Sequence, residues 1–296
     1  MSESVIEFYR RGSEEREQEI IYGERFIKFG YQDANMRGFR SLAFRWATLS
    51  RGLGWYFGSR LSRPRVRAAI EQLGIDESEF LDSTESYRSF HDFFTRKLKP
   101  EARPFDPAPT VLASPADGRT LLYPRLDGAT VIPVKGCNYS VDDLLARPAN
   151  DFYDGACLVV RLCPADYHRY HFPADATVLE TWDLPGVYHS VNPLALSLGI
   201  NIFCENKRRV TLLDSPQFGR IAYLEVGAFG VGSIVDTYSG TQVAKMDEKG
   251  YFTFGGSTLA LLFQKGRVRW SDDLMNHSAD GYETLIKVGE TIGTAP

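Results

Sequence analysis

Four prolines between residues 99 and 109 divide the chain into two parts with different hydrophobic patterns. Proline removes the backbone N–H that a continuing helix requires, so this stretch predicts an extended linker. Before it, apolar residues recur every three or four positions, which is typical of helices. After it, runs typical of strands lie at residues 111–113, 130–134, 156–162, 210–213, 221–226 and 258–263. The sequence therefore predicts an α+β protein, with a helical region over residues 1–99 and a β-rich barrel or sandwich over residues 100–296.

The charge balance limits the classes of partner. The formal net charge is -4 over 296 residues, with 24% charged side chains, so the molecule lacks the basic excess of a nucleic-acid-binding protein. The four cysteines show no CxxC spacing and the charged first residues do not resemble a signal peptide, so we expect a reducing, cytoplasmic setting. No apolar stretch reaches the roughly 18 residues that a membrane-spanning helix needs.

A basic segment stands out in this acidic chain. Residues 36–70 contain eight arginines and no Asp or Glu. At helical spacing one stripe is apolar and consists of Phe39, Leu42, Ala43, Trp46, Leu49 and Leu53. The pattern fits an ordinary surface helix, and it equally fits an interfacial helix whose arginines meet anionic lipid. The aromatic run at residues 55–57 favours the interface, where amphipathic rings concentrate.

Three short segments carry side chains suited to chemistry. His168 and His171 follow a predicted strand, and Asp117 lies on a Pro-Ala-Asp-Gly turn. Ser257 follows two glycines at the start of an apolar run. Taken singly, each segment also fits an ordinary turn, a bulge or a buried histidine pair. The histidines have no third ligand at a metal-binding spacing, so we predict no metal site.

Together these segments resemble the phosphatidylserine decarboxylase family. The resemblance is carried by residues 248–258, which end in Gly-Gly-Ser-Thr, and by motifs at residues 90–100, 103–104, 114–118, 167–171, 186–193, 225–228 and 231–234. It extends from about Tyr22 to Gly293. It implies that residues 1–99 form a membrane-associating region and that residues 100–296 form the catalytic domain.

The resemblance implies a proenzyme that cuts itself between Gly256 and Ser257. The products would be a β chain of residues 1–256 and an α chain of residues 257–296. The family pattern assigns His171 as the base that activates the serine hydroxyl. The serine would attack the preceding carbonyl, and elimination and hydrolysis would leave a pyruvoyl group on the α chain.

The same resemblance assigns the later chemistry. Asp117 would orient the base, and the pyruvoyl group from Ser257 would form a Schiff base with phosphatidylserine and accept the electrons released with carbon dioxide. His168 would return a proton to the substrate, with His171 as the second candidate, and the product would be phosphatidylethanolamine. The expected partners are phosphatidylserine, an anionic membrane surface and the two cleaved chains, with a homodimer as one option. The expected location is peripheral, on the cytoplasmic side of a membrane.

Two other functions stay open from the sequence. One is a pyruvoyl-dependent decarboxylase of a soluble amino acid such as tryptophan. The other is a serine hydrolase or an uncleaved binding module that uses Asp117, His171 and Ser257 without making a cofactor. Gly232 and Ser233 form a second Gly-Ser pair, which the resemblance assigns to the pocket lining and not to the cut.

Overall fold

The computed structural model describes residues 7–13, 15–19, 47–126, 140–186, 206–227, 234–253 and 257–296. The strands are β1 (Glu7–Arg10), β2 (Arg16–Gln18), β3 (Val111–Ala113), β4 (Gly118–Tyr123), β5 (Ala156–Leu162), β6 (Arg169–His171), β7 (Ala176–Leu184), β8 (Arg208–Ser215), β9 (Gly219–Gly227), β10 (Ile234–Asp236), β11 (Gln242–Val243), β12 (Glu248–Phe252), β13 (Ser257–Phe263), β14 (Arg269–Trp270), β15 (Glu283–Ile286) and β16 (Thr291–Thr294). The α-helices are α1 (Ala47–Gly58), α2 (Pro64–Leu73), α3 (Phe90–Phe94), α4 (Val141–Leu145) and α5 (Asp272–Ala279).

One large sheet organises the described part of the molecule. Its strand order is β11-β7-β8-β9-β13-β5-β4-β15-β1-β2, and every pairing is antiparallel except that of β1 with β15. Two smaller sheets have the orders β10-β12-β6 and β14-β16-β3. The large sheet is open, with β11 and β2 at its edges, so the α+β class is confirmed and the barrel or sandwich detail is not.

The central strand β13 explains why the sheet is covered on both faces. All seven of its residues are buried. The last five are apolar, so both faces of the strand present apolar side chains over residues 259–263. Leu259, Leu261 and Phe263 pack with residues of the small sheets, whereas Ala260 and Leu262 pack beneath α4. Side chains alternate along a strand, so Ser257 shares the face of Leu259 and Leu261, towards the small sheets.

The first described residues form two strands, β1 and β2. The prediction that the helical region starts at residue 1 is therefore corrected. Phe8 is buried at 3% exposure between partly exposed neighbours, an alternation that suits a strand and not a helix. β1 pairs with β15 near the end of the chain, and an Arg10–Glu17 ion pair of 2.6 Å joins β1 to β2. These strands are short and charged, so their hydrophobic pattern carries little signal.

Helices occupy residues 47–94 as the sequence predicts, with short 3₁₀ turns between them. Their aromatic side chains form a separate cluster that contains Phe80, Tyr87, Phe90, Phe93 and Phe94. Much of the predicted amphipathic helix at residues 36–53, the predicted strand at residues 130–134 and the Gly-Ser pair at residues 232–233 lie outside the described residues. No helix in the described ranges is long and apolar enough to cross a membrane.

Candidate functional site

Ser257 is the first residue of the central strand. It lies opposite Leu162 of β5 and Gly227 of β9, and it is fully buried. Its hydroxyl has no hydrogen-bond partner among the described residues, although a buried hydroxyl normally has one. Gly256, on the other side of the predicted cut, lies outside the described residues. Ser257 and the neighbouring Thr258 are therefore buried polar groups at the start of a strand whose other residues are apolar.

His168 lies at the same end of the sheet. The loop that follows Leu162 leads to it, and its carbonyl accepts a 3.0 Å hydrogen bond from the backbone N–H of Phe252 in β12. Its Nδ1 lies 2.9 Å from the Asp166 carbonyl, and its ring packs against Phe94 with centroids 3.8 Å apart. A carbonyl oxygen only accepts, so Nδ1 carries the proton and Nε2 carries the lone pair.

Burial decides the charge of the His168 ring. Burial and the nearby Arg96 guanidinium lower the pKa of His168 to about 3, against the weaker opposing effect of the Asp166 carbonyl. The imidazole is therefore neutral near pH 7. Its Nε2 is buried and has no hydrogen-bond partner among the described residues.

His171 ends β6 and makes a similar contact. Its backbone N–H donates to the Pro115 carbonyl at 2.8 Å, and its Nδ1 lies 2.9 Å from the Met246 carbonyl. Burial lowers the pKa of His171, while the Met246 carbonyl, Glu248 and Asp117 oppose that shift. The result is a neutral ring whose Nε2 is free to accept a proton, which is the form a general base needs.

The turn that contains Met246 has a strained backbone and is held by the neighbouring Lys245. Met246 has a φ of 69°, a left-handed conformation that costs a side-chain-bearing residue about 1–3 kcal/mol. The neighbouring Lys245 ammonium donates to the carbonyls of Asp106, Ala108 and Val111 at 2.8, 2.6 and 3.0 Å. These bonds hold the turn against residues 106–111, so the Met246 carbonyl stays within hydrogen-bond distance of His171 Nδ1.

Asp117 is held by residues other than His171. Arg103 binds its carboxylate in two places, at 2.9 and 2.5 Å, and the Val288 backbone N–H donates to it at 2.8 Å. The described contacts of Asp117 and His171 therefore include no hydrogen bond between these two residues. Asp117 acts on the imidazole only through space, where its charge raises the pKa of His171 against the effect of burial.

A buried charged cluster joins the large sheet to the small sheet beside it. The Lys249 ammonium forms an ion pair with Glu225 and lies 3.5 Å from Asp236, and the Lys249 and Glu225 side chains are fully buried. Lys249 occupies the bulge in β12, and a bulge can turn an extra side chain inwards. Burial raises the pKa of Glu225 to about 7, with Lys249 acting in the opposite direction.

Sequence reasoning missed this cluster and the Arg103 contact. Glu225 carries a detectable signal, because it is a single acid in the otherwise apolar run at residues 221–226. The Arg103 contact has no such signal, because a proline-rich segment does not reveal which side chain it places against Asp117.

Comparisons with known proteins identify the family of the chain. The family model described as phosphatidylserine decarboxylase matches residues 90–294. A phosphatidylserine decarboxylase proenzyme of Clostridium botulinum (strain 657 / Type Ba4) is 41% identical, over 98% of this chain and 99% of its own length. Proenzymes of the same name from Clostridium kluyveri and Clostridium perfringens (strain ATCC 13124) are 40% and 39% identical, with the same coverage. The resemblance is thereby confirmed, and the chain belongs to the phosphatidylserine decarboxylase family.

Proposed function

We propose that this chain is a proenzyme that cleaves itself before Ser257 and then decarboxylates phosphatidylserine to phosphatidylethanolamine. The observation that carries the proposal is the buried, unpartnered hydroxyl of Ser257 at the start of the central strand. Two neutral imidazoles lie on segments next to that end of the sheet. The family to which the chain belongs, and the names of its relatives, support a phosphatidylserine decarboxylase that is made as a proenzyme.

The residues around Ser257 suit a pyruvoyl group derived from the serine. After cleavage such a group would begin the α chain, and the pairing of β13 with both β5 and β9 would hold it in place. The surroundings are apolar and buried, which favours loss of a carboxylate as neutral carbon dioxide. When formed, the pyruvoyl group supplies an electron sink for that loss.

The cleavage step draws on His171. Its Nε2 takes the proton of the Ser257 hydroxyl, and the serine oxygen attacks the Gly256 carbonyl. The imidazolium then gives its proton to the serine nitrogen as the C–N bond breaks, so that the acyl group moves from nitrogen to oxygen. Elimination removes the Cα proton of residue 257, for which the regenerated neutral imidazole can act again as base, breaks the bond between Cβ and the ester oxygen, and releases the β chain as a carboxylate. Water then hydrolyses the remaining dehydroalanine and releases ammonia. Negative charge from Asp117 and Glu248 stabilises the imidazolium that forms in the first step.

The decarboxylation step draws on His168. Decarboxylation consumes one proton, and because the pKa of His168 is about 3, the ring must first accept that proton from water at Nε2. Once charged, the buried imidazolium is a strong acid, since burial and Arg96 both disfavour its positive charge. We therefore assign His168 the return of a proton to the substrate α-carbon, with Asp166 holding the ring.

The proposed substrate calls for contact with a membrane. In α1 and the turn that follows it, Trp55 is 71% exposed and Leu61 is 68% exposed, and Arg60, Arg63 and Arg65 lie nearby on the exposed surface. Exposed apolar side chains among arginines are typical of a surface that meets anionic lipid. We therefore propose that residues 1–99 bring the enzyme to the cytoplasmic face of a membrane as a peripheral protein.

The membrane proposal has a direct test. Replacing Arg37, Arg40, Arg45 and Arg51 by glutamine should weaken sedimentation with phosphatidylserine vesicles, most strongly at low salt. A protein in which four exposed arginines outside residues 1–99 are replaced by glutamine, namely Arg125, Arg220, Arg267 and Arg269, controls for the loss of the same positive charge elsewhere. Equal binding of all three proteins would contradict an interfacial role for the basic segment.

The reaction itself is tested by product formation. Purified protein should convert phosphatidylserine in mixed micelles to phosphatidylethanolamine with release of carbon dioxide, and Ser257→Ala should not. Free tryptophan should remain unchanged under the same conditions. Release of carbon dioxide from tryptophan but not from the lipid would instead support a soluble amino acid as substrate.

A further inference from the structure

A second group of charged side chains is buried beside the loop that carries His168. Its members are Glu19, Arg119, Arg161, Asp166 and Glu283, and the first four have side chains no more than 9% exposed. The described segments that supply them are far apart in sequence and include the N-terminal strand pair. Buried charges of this kind are stable only when each has a partner, so the loss of one charge affects the others.

Glu19, next to the end of β2, is the partner of both arginines. Its carboxylate accepts from Arg161 at 3.0 and 2.6 Å and lies 3.6 Å from Nε of Arg119. Burial alone would raise the pKa of Glu19, but the two guanidinium groups lower it to about 2. Arg161 is bound on its other side by Glu283, at 2.9 and 2.5 Å. Glu19 is therefore ionised at neutral pH and completes the counter-charge of the pair.

Arg119 connects this cluster to the His168 loop. Its Nη1 donates to both carboxylate oxygens of Asp166, at 3.1 and 2.9 Å. The same carboxylate accepts the Cys163 backbone N–H at 2.6 Å, which closes the loop on itself. The main-chain carbonyl of Asp166 then meets Nδ1 of His168 at 2.9 Å. Contacts therefore run from Glu19 through Arg119 and Asp166 to the imidazole.

We propose that Glu19 is a positioning residue for His168, acting through Arg119 and Asp166. Without the Glu19 charge, two buried arginines share the carboxylates of Glu283 and Asp166. Asp166 is then drawn towards both cations, and its carbonyl leaves the position that fixes the imidazole. The N-terminal strand pair is thus part of the decarboxylation site. The proposal rests on the role of His168 in the proposed function.

Glu17 provides a matched control. It lies in β2, two residues before Glu19, and it is also a glutamate bound by an arginine, with a 2.6 Å contact to Arg10. Its side chain is 39% exposed, and its hydrogen bonds are to Arg10. Glu17→Gln therefore removes one carboxylate charge from the same N-terminal segment and leaves the Arg119–Asp166 contact in place.

The test compares Glu19→Gln with Glu17→Gln in the full chain. We expect both to cleave themselves as the wild type does, because His171 does not depend on this contact. Glu19→Gln should lower kcat on phosphatidylserine micelles about ten- to a hundredfold with KM nearly unchanged, as expected for a small displacement of a reacting group. Glu19→Asp, which keeps the charge, should recover part of the loss. Glu17→Gln should match the wild type.

A second readout does not require activity. In the uncleaved Ser257→Ala protein, nitrogen NMR of the histidine rings reports which nitrogen of His168 carries the proton, and His168→Gln identifies its signals. Glu19→Gln should shift these signals and Glu17→Gln should not.

Unchanged signals together with an unchanged kcat would overturn the proposal, as would an equal loss of kcat in Glu19→Gln and Glu17→Gln. Failure of both Glu19 variants to fold while Glu17→Gln folds would also overturn it, since Glu19 would then be structural. If the Ser257→Ala proteins give the expected NMR shifts but the folded wild type does not convert the lipid, the proposed function is contradicted and the positioning of His168 is not.

Discussion

His168 and His171 lie three residues apart and present the same nitrogen to a main-chain carbonyl, but their surroundings differ in charge. His168 is fully buried, packs on Phe94 and lies near the Arg96 guanidinium. His171 is partly exposed, and the carboxylates near it favour its protonated form. The two rings are the same tautomer, and their different surroundings suit them to different steps of the proposed reaction. Protonation is opposed less strongly for His171 than for His168, which suits His171 to the proposed role of base in cleavage and His168 to that of proton donor.

The largest effect is expected for His171→Ala. Without the base the Ser257 hydroxyl keeps its proton, so the chain should stay uncut and show no decarboxylase activity. A denaturing gel of the purified variant gives the answer. A chain cut as completely as the wild type would show that another group activates the serine, and the assignment of the two rings would have to be exchanged.

His168→Ala should separate the two steps. Cleavage should proceed, while kcat on phosphatidylserine should fall about a hundredfold or more, in the range of a lost general acid or base. The gel and the activity assay are run on the same preparation, and His171→Ala serves as the reciprocal control. If His168→Ala stays uncut, then the two rings do not have separate roles.

Asp117→Asn should have a smaller effect than His171→Ala. The carboxylate reaches His171 through space and not through a hydrogen bond, so its loss should slow cleavage about tenfold without stopping it. The amide still offers an oxygen to the Val288 N–H, which limits damage to the fold. The rate is measured by the appearance of the α chain after synthesis. A block as complete as that of His171→Ala would indicate a direct contact between Asp117 and the ring during the reaction.

The smallest effect concerns stability. His168 stays neutral in the folded state down to about pH 3, whereas in the unfolded chain it gains a proton below its ordinary pKa near 6.5. The unfolded state therefore binds more protons between these values, and stability falls as the pH falls through that window. From pH 7.5 to pH 5 the loss from this group should be about 2 kcal/mol.

This stability prediction is checked by urea unfolding of the uncleaved Ser257→Ala protein at both pH values. Replacing His168 by Gln should remove that part of the pH dependence, while the part due to His171 remains. An unchanged pH dependence would mean that His168 is charged in the folded protein.

The sequence predicts the chemistry of the site better than its geometry. The Gly-Gly-Ser-Thr segment and the apolar run after it place Ser257 at the start of a buried strand, because local pattern alone indicates a strand there. The order of the large sheet is not predictable in this way, since β1 pairs with β15 across nearly the whole chain. The contacts of His171 and Asp117 with Met246 and Arg103 depend on the path of two loops, which no local pattern encodes.

The proposed function depends most on the conversion of Ser257 into a cofactor, and intact-mass measurement of the purified protein tests this conversion directly. We expect two chains, of residues 1–256 and 257–296, with the smaller lighter by one ammonia than a chain that begins with serine. A single chain of 33.3 kDa, or a smaller chain that begins at residue 233 or with an unmodified serine, would contradict it.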